Sequence, residues 1–414
     1  MVRFLRILAI IVAAIVVAGV VTLSAAYLAS TRSVDQAQTT LDPFYDVPNP
    51  LPPGQPGQIL KSEPLGQTLN NANAYRVLYR TAMPDGTPRV SGAMLFVPTT
   101  PAPPGGRKVV SWAHPTVGMG KACAPSRVTS PLDPLTWLQE MLDRGWIVTA
   151  TDYAGLATTP PEYYLIGQNE AIDVVNAVRM AREFPNAQAS NQYAVYGHSQ
   201  GGHASLWTGS YGPSYAPELK LVGVSAAAPA AELIPLVDEL WDSAIGWVIG
   251  TEALISYPLV YPSLSVDAVT TSVGQRTYQD VAQDCLQMAG LTGLARTAFD
   301  QNLFNDSPSK NPAWRTALEA QSTPALPATM PALVIESTSD GVVLPNTIAL
   351  MQRKWCKAGS RLQVDWLGPL SNSAIDTHGL EGKVGGPLAI DWIAQRFDGL
   401  PAPTNCNVAP AVKP

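Results

Sequence analysis

From Lys108 to the C-terminus, short apolar runs alternate with stretches whose apolar residues recur at three- and four-residue spacing. That is the rhythm of a parallel sheet with crossover helices. Lys108 to Ala113, Trp146 to Ala150, Tyr193 to Tyr196, Leu221 to Ala228, Ala332 to Ile335 and Leu362 to Trp366 read as strands. Leu135, Leu138, Met141 and Leu142 mark one face of a helix closed by Gly145, and Ile172, Val175 and Val178 mark another. A helix starts at about Thr347, and the last runs from about Leu388 to Phe397. Upstream, Ala74 to Arg80 and Arg89 to Val97 flank Pro84-Asp85-Gly86, which predicts a hairpin at a sheet edge. Between residues 231 and 325 the alternation lapses into helical stretches with Trp241, Trp247, Tyr257 and many prolines. The pattern predicts an α/β fold with a mostly parallel central sheet flanked by helices. Its core comes in two parts, 61–230 and 326–414, and a mostly helical cap is inserted at 231–325. A separate binding domain is the alternative reading of that interval.

The N-terminal segment has a different rhythm. After Arg3 and Arg6, the stretch from Ile7 to Leu28 is apolar except for Gly19, Thr22 and Ser24. It is longer than the roughly 7–15 apolar residues of a signal peptide and close to the roughly 20 that span a bilayer. Residues 1–30 are therefore a signal peptide, with cleavage after Ala26, or an N-terminal membrane anchor, and both send the rest of the chain outward. Residues 31–60, with Pro48, Pro50, Pro52, Pro53 and Pro56, read as an extended linker. The four cysteines Cys123, Cys285, Cys356 and Cys406 fit an oxidising compartment, and spacing alone leaves all three pairings open. A net charge of −6 without any basic run excludes a nucleic-acid partner. No CxxC spacing or histidine cluster calls for a metal, and no cofactor is implied.

The chemistry is concentrated at Gly197-His198-Ser199-Gln200-Gly201, a G-x-S-x-G motif between a strand and a helix. In that context the motif is a nucleophile elbow, the mark of an α/β-hydrolase fold. A serine needs a base to remove its proton and a carboxylate to orient that base. Of the four histidines, His114 precedes the serine, His198 adjoins it, and His203 lies on the following helix. Only His378, read as part of a polar loop, satisfies the order Ser, acid, His. Asp340 follows the strand Leu333 to Ile335 at the carboxyl edge of the sheet, where such sites collect, and it is preferred over its competitors Asp376 and Glu336. The oxyanion would be held by the Gln200 N–H and by a donor in His114-Pro115-Thr116. Proline has no N–H, so Thr116 is the candidate.

Several segments beyond the elbow carry a resemblance. Asp42-Pro43-Phe44-Tyr45, Ser111-Trp112-Ala113-His114 leading to Cys123-Ala124-Pro125-Ser126, Asp152-Tyr153-Ala154-Gly155-Leu156, Ser339-Asp340-Gly341 and Arg396-Phe397 through Cys406 are similar to landmarks of the secretory lipases of fungi and actinobacteria. The resemblance covers nearly all of the exported part. It implies the triad Ser199, Asp340 and His378, disulfides Cys123–Cys285 and Cys356–Cys406, a helical lid, and cofactor-free cleavage of acyl esters including triacylglycerols. The chain departs from the pattern at Pro115, where relatives carry Gly, and at Ala157. The expectation is a secreted or membrane-tethered serine ester hydrolase acting on a small-molecule ester or lipid, with possible association with a lipid surface. A cell-envelope acyltransferase using the same triad and a catalytically silent binding protein are its rivals.

Overall fold

The computed structural model describes residues 38–413. Residues 38–45 are helical and fall in a compact unit that ends at Asp46, so the extended reading of 31–60 does not hold there. The second unit holds one nine-stranded sheet. Its strands are β1 (Ile59–Pro64), β2 (Ala72–Ala82), β3 (Pro88–Pro98), β4 (Arg107–Ala113), β5 (Ile147–Thr151), β6 (Ala189–His198), β7 (Lys220–Ala227), β8 (Ala332–Ser337) and β9 (Leu362–Leu367). Their spatial order is β1-β2-β3-β5-β4-β6-β7-β8-β9. The pairings from β5 through β9 are parallel, whereas β1, β2 and β3 pair antiparallel and β3 joins β5 antiparallel. This is the α/β-hydrolase fold that the alternation predicts. The β2–β3 hairpin forms, but it is not the edge. That place belongs to β1, whose residues Ile59-Leu60-Lys61-Ser62-Glu63-Pro64 carry too little apolar alternation to announce a strand. A short edge strand bearing charge and proline is a common guard against edge-to-edge pairing.

Helices α1 (Leu138–Asp143), α2 (Gly167–Glu183), α3 (Gln200–Tyr215), α9 (Pro345–Lys357) and α10 (Ala374–Phe397) belong to the sheet layers. On one face Val174, Val175 and Val178 of α2 and Leu206 of α3 pack against Val109, Val195 and Val224. On the other, Leu138 and Met141 of α1 with Trp392 and Ile393 of α10 cover Val110, Val148 and Leu333. Both faces are dry, as a parallel sheet requires.

Between β7 and β8 the chain forms α4 (Leu233–Leu240), α5 (Ala244–Val260), α6 (Ser272–Gln283), α7 (Leu286–Ala298) and α8 (Pro312–Gln321), with no strand. A disulfide joins Cys285, just before α7, to Cys123 in the segment after β4. Met119 N–H donates to the Ala282 carbonyl (2.8 Å) and Leu286 N–H to that of Val117 (2.9 Å), so the same corner is also stitched by backbone. A second disulfide, Cys356–Cys406, ties the end of α9 to the C-terminal segment. Among the described residues, no helix is long and apolar enough to cross a membrane. The apolar segment Ile7 to Leu28 lies outside them.

The largest departure from expectation concerns His378. It sits in the first turns of α10, a helix that begins at Ala374, rather than in a loop. The Ser373 hydroxyl accepts from the Asp376 N–H at its start, and the helix carries Gly379, Gly382, Gly385, Gly386 and Pro387. Those residues hide the helix from any reading by propensity.

Candidate active site

Ser199 joins the end of β6 to the start of α3, with φ 56° and ψ −117°. A non-glycine residue is held in that region only when its surroundings over-determine it. Here they do. A Cβ on Gly197 would come within 1.9 Å of the Gly201 carbonyl oxygen, and one on Gly201 equally close to the Ala113 carbonyl oxygen of β4. The Ser199 N–H donates to the Ala227 carbonyl (2.9 Å). The serine occupies the N-cap position of α3, yet its hydroxyl makes no capping bond. Among the described residues its Oγ has no hydrogen-bond partner, and the helix behind it points its positive end at the same place.

Asp340 follows β8 in the turn Ser339-Asp340-Gly341. Its Oδ1 accepts the N–H groups of Val342 (2.7 Å) and Val343 (3.1 Å), and its Oδ2 accepts from His378 Nδ1 at 2.7 Å. Those bonds fix the imidazole with Nε2 outward. Neither competitor does this: Glu336 points into the core without a hydrogen bond, and Asp376 lies on the exposed side of α10. Among the described residues no hydrogen bond joins Ser199 Oγ to His378.

His198 has a part the sequence did not disclose. Its Nε2–H donates to the His378 carbonyl (2.9 Å), and the two rings lie 4.8 Å apart between centroids. Burial and the neighbouring His378 depress its pKa to about 3, so it stays neutral and serves as a fixed donor. A Cβ on Gly382 would come within 2.8 Å of the His198 ring, and one on Gly386 within 2.1 Å of Trp137. The glycines of α10 thus let the helix close on the elbow. His114, by contrast, is fully buried against Tyr153, and its ring contacts the carbonyls of Pro115 and Asp152. It props the loop after β4.

The two oxyanion candidates are placed differently. Gln200 is the first residue of α3, so its N–H has no partner within the helix. Thr116 is buried, and its hydroxyl hydrogen-bonds the Tyr164 hydroxyl at 2.7 Å. Tyr164 in turn lines a cavity with Ser199 and Gln200. The rest of that wall is apolar and comes mainly from the insertion, including Leu236, Ile245, Ile249, Phe304 and Trp314.

Buried acids crowd both sides of Ser199, and none was singled out in the sequence for this role except Glu336, as a competitor. Glu162 and Glu170 lie next to Gln200. Burial lifts the Glu162 pKa to about 8 despite a hydrogen bond from Gln200. Glu336 and Glu381 lie behind Asp340, with an oxygen from each of the three acids within 4.8 Å of the others. Burial raises both glutamates, helped by the charges of Glu381 and Asp340 on Glu336 and of Asp340 on Glu381, so the pair holds protons where an ordinary carboxyl has lost them.

With this geometry in hand, the chain can be set beside known proteins. The model of the secretory lipase family matches residues 128–405, about two thirds of the sequence. The chain belongs to the secretory lipase family. It is 25% identical to Lipase A of Moesziomyces aphidis over 88% of its own length and 82% of the relative's. It is 26% identical to a secreted triacylglycerol lipase of Malassezia furfur, over 88% and 77% respectively. Among solved structures it resembles Candida antarctica lipase A in its closed state, with a TM-score of 0.71, 22% identity and 90% of each chain covered. A rice cell wall degrading esterase from Xanthomonas oryzae follows with a TM-score of 0.70 and 18% identity over 83% of this chain and 100% of that one. This secretory lipase is therefore an ester hydrolase of the α/β-hydrolase fold acting on lipids or other esters. Its family and its two disulfides mark it as an extracellular protein.

Proposed function

We propose that this lipase works by two-step acyl transfer through Ser199, His378 and Asp340. His378 Nε2 takes the hydroxyl proton as Ser199 Oγ bonds to the ester carbonyl carbon. The carbonyl oxygen becomes an oxyanion held by the Gln200 N–H and by a donor from Thr116. As the tetrahedral species collapses, the ester C–O bond breaks and His378 returns the proton to the departing alcohol. Water, deprotonated by the same histidine, then releases the acid and frees Ser199. Asp340 fixes the imidazole tautomer through its hydrogen bond to Nδ1 and stabilises the charged form. The observation that carries this reading is the Asp340–His378 hydrogen bond of 2.7 Å beside a serine held at positive φ with a free hydroxyl.

The substrate is a medium- to long-chain acyl ester presented at a lipid surface. The apolar cavity beginning at Ser199 supports the acyl part. Helix α7 supports the surface: Leu291 and Leu294 are each more than half exposed, and Phe299 just beyond them is 78% exposed. Arg296 is the sole charged residue of that helix, so the helix itself carries no carboxylate. Hydrolysis of a p-nitrophenyl ester series with a competing alcohol tests the proposal. The expected result is turnover that favours long chains, gives free acid as product and disappears in Ser199→Ala. Product dominated by the transferred ester would identify an acyltransferase instead.

A further inference from the structure

Resting on that reading, we propose that Glu170, together with His203, is a positioning residue for the oxyanion donor, clamping Gln200 by its side chain so that its N–H stays aimed at the reacting carbonyl.

The clamp begins with the Gln200 amide. Its Nε2 donates to Glu170 Oε1 (2.9 Å) and to Glu162 Oε1 (3.3 Å). Glu170 Oε1 also accepts the Leu165 N–H (3.1 Å), and Leu165 lines the cavity at Ser199. The other oxygen, Oε2, is bonded to His203 Nδ1 at 2.7 Å. His203 Nε2 faces the Gln321 carbonyl at 2.8 Å. A carbonyl can only accept, so Nε2 carries hydrogen. The other ring nitrogen and Oε2 meet in a short hydrogen bond, so the imidazole is held at both ends. Gln200, Glu170 and His203 are each at most 2% exposed.

The network is also anchored in the insertion. Gln321 closes α8, its Oε1 accepts the Gly167 N–H at the start of α2 (2.9 Å), and its amide donates to the Tyr261 hydroxyl (2.6 Å). The Gln200 side chain is thus held through its amide nitrogen by two carboxyls, and the one nearer to it is fixed in turn through His203 to the end of α8. Such fixed donors are effective because they need no reorganisation as charge develops.

Steady-state kinetics on a p-nitrophenyl ester, with active sites counted by the end-point of fluorophosphonate labelling, tests the assignment. Deleting an oxyanion donor outright costs about 10²–10³-fold in kcat. Loosening one by Glu170→Ala or Gln200→Ala should cost about 10- to 100-fold in kcat with KM little changed. Because the two act through one contact, the double variant should be no worse than the more impaired single variant. Glu170→Gln can accept from Gln200 through its oxygen and donate to His203 Nδ1 through its amide, so it should restore kcat to within about three-fold of wild type.

Wild-type kcat in Gln200→Ala, additive losses in the double variant, or a change confined to KM would overturn the clamp. If Glu170→Ala does not fold, Gln200→Ala decides alone, since it removes no buried charge. Full turnover in Ser199→Ala would instead strike the reading of the site itself. Dead Ser199→Ala with unimpaired clamp variants would strike only the clamp.

Discussion

On the Gln200 side of Ser199, the buried carboxyls of Glu162 and Glu170 receive hydrogen bonds from Gln200, Leu165 and His203, whereas on the His378 side Glu336 receives none and Glu381 uses one oxygen, on the Ser337 N–H. The first side is also braced covalently, because Cys123–Cys285 and two backbone hydrogen bonds fasten the loop after β4 to the insertion. The second is held by the Asp340–His378 bond, the His198 contact and the packing of α10. The difference follows what each side must do. An oxyanion donor works best when it does not move, so a network of hydrogen-bonded polar groups suits it. In the proposed mechanism the base must reach Ser199 Oγ, and Glu336 and Glu381, kept neutral by burial, leave the orientation of His378 to Asp340.

Asp340→Asn attacks the weaker-braced side where it depends on a single bond. An asparagine in this position favours the wrong imidazole tautomer, and a loss of about 10⁴-fold in kcat with an intact fold is expected from steady-state assays. A loss below ten-fold would mean that His378 is oriented by His198 and α10 instead. On the opposite side, the Cys123→Ser, Cys285→Ser double variant removes a cross-link spanning 162 residues of sequence. Denaturant titration should show about 2–5 kcal/mol less stability. The cost should appear in the fold, while kcat per folded site changes less than it does in Asp340→Asn.

Smaller effects separate the acids by pH. In the folded protein Glu162 keeps its proton up to about pH 8, while its ordinary value is 4.5. Between those values the folded state holds a proton that the unfolded state has lost. Stability from this group is therefore complete below pH 4.5 and is lost as pH rises through about 8, with a slope of up to about 1.4 kcal/mol per pH unit. Glu162→Gln should flatten the Tm-versus-pH curve between about pH 4.5 and 8. Glu381→Gln should act in the same direction at the other cluster, keeping the contact with Ser337 while removing an alkaline loss of stability. Unchanged curves in both variants would show that neither glutamate holds its proton in the fold.

The two sides also differed in how far the sequence disclosed them. The elbow was legible because its demands are local: Gly197, Ser199 and Gly201 are set by contacts within a few residues and one neighbouring strand. The central strands were legible because both faces of the sheet are apolar. Helix α10 was not, since Gly382 and Gly386 are explained only by His198 and Trp137, far away along the chain. The clamp was equally hidden. Glu170 lies 30 residues from Gln200, and His203 lies 118 from Gln321. In sequence, Glu170 is one more charge in a helix, and nothing distinguishes a buried glutamate from an exposed one until the pairing is seen. Strand β1 escaped for a simpler reason, because a polar edge strand has no alternation to read.

The most direct test of the account is turnover and covalent labelling by Ser199→Ala beside the wild-type enzyme. Wild type should hydrolyse the ester series and take up one fluorophosphonate, mapped to Ser199. The variant should fold, show no label and lose at least about 10⁴-fold in kcat. A folded Ser199→Ala protein that still hydrolyses the esters, or a label mapped to another residue, would contradict the central claim.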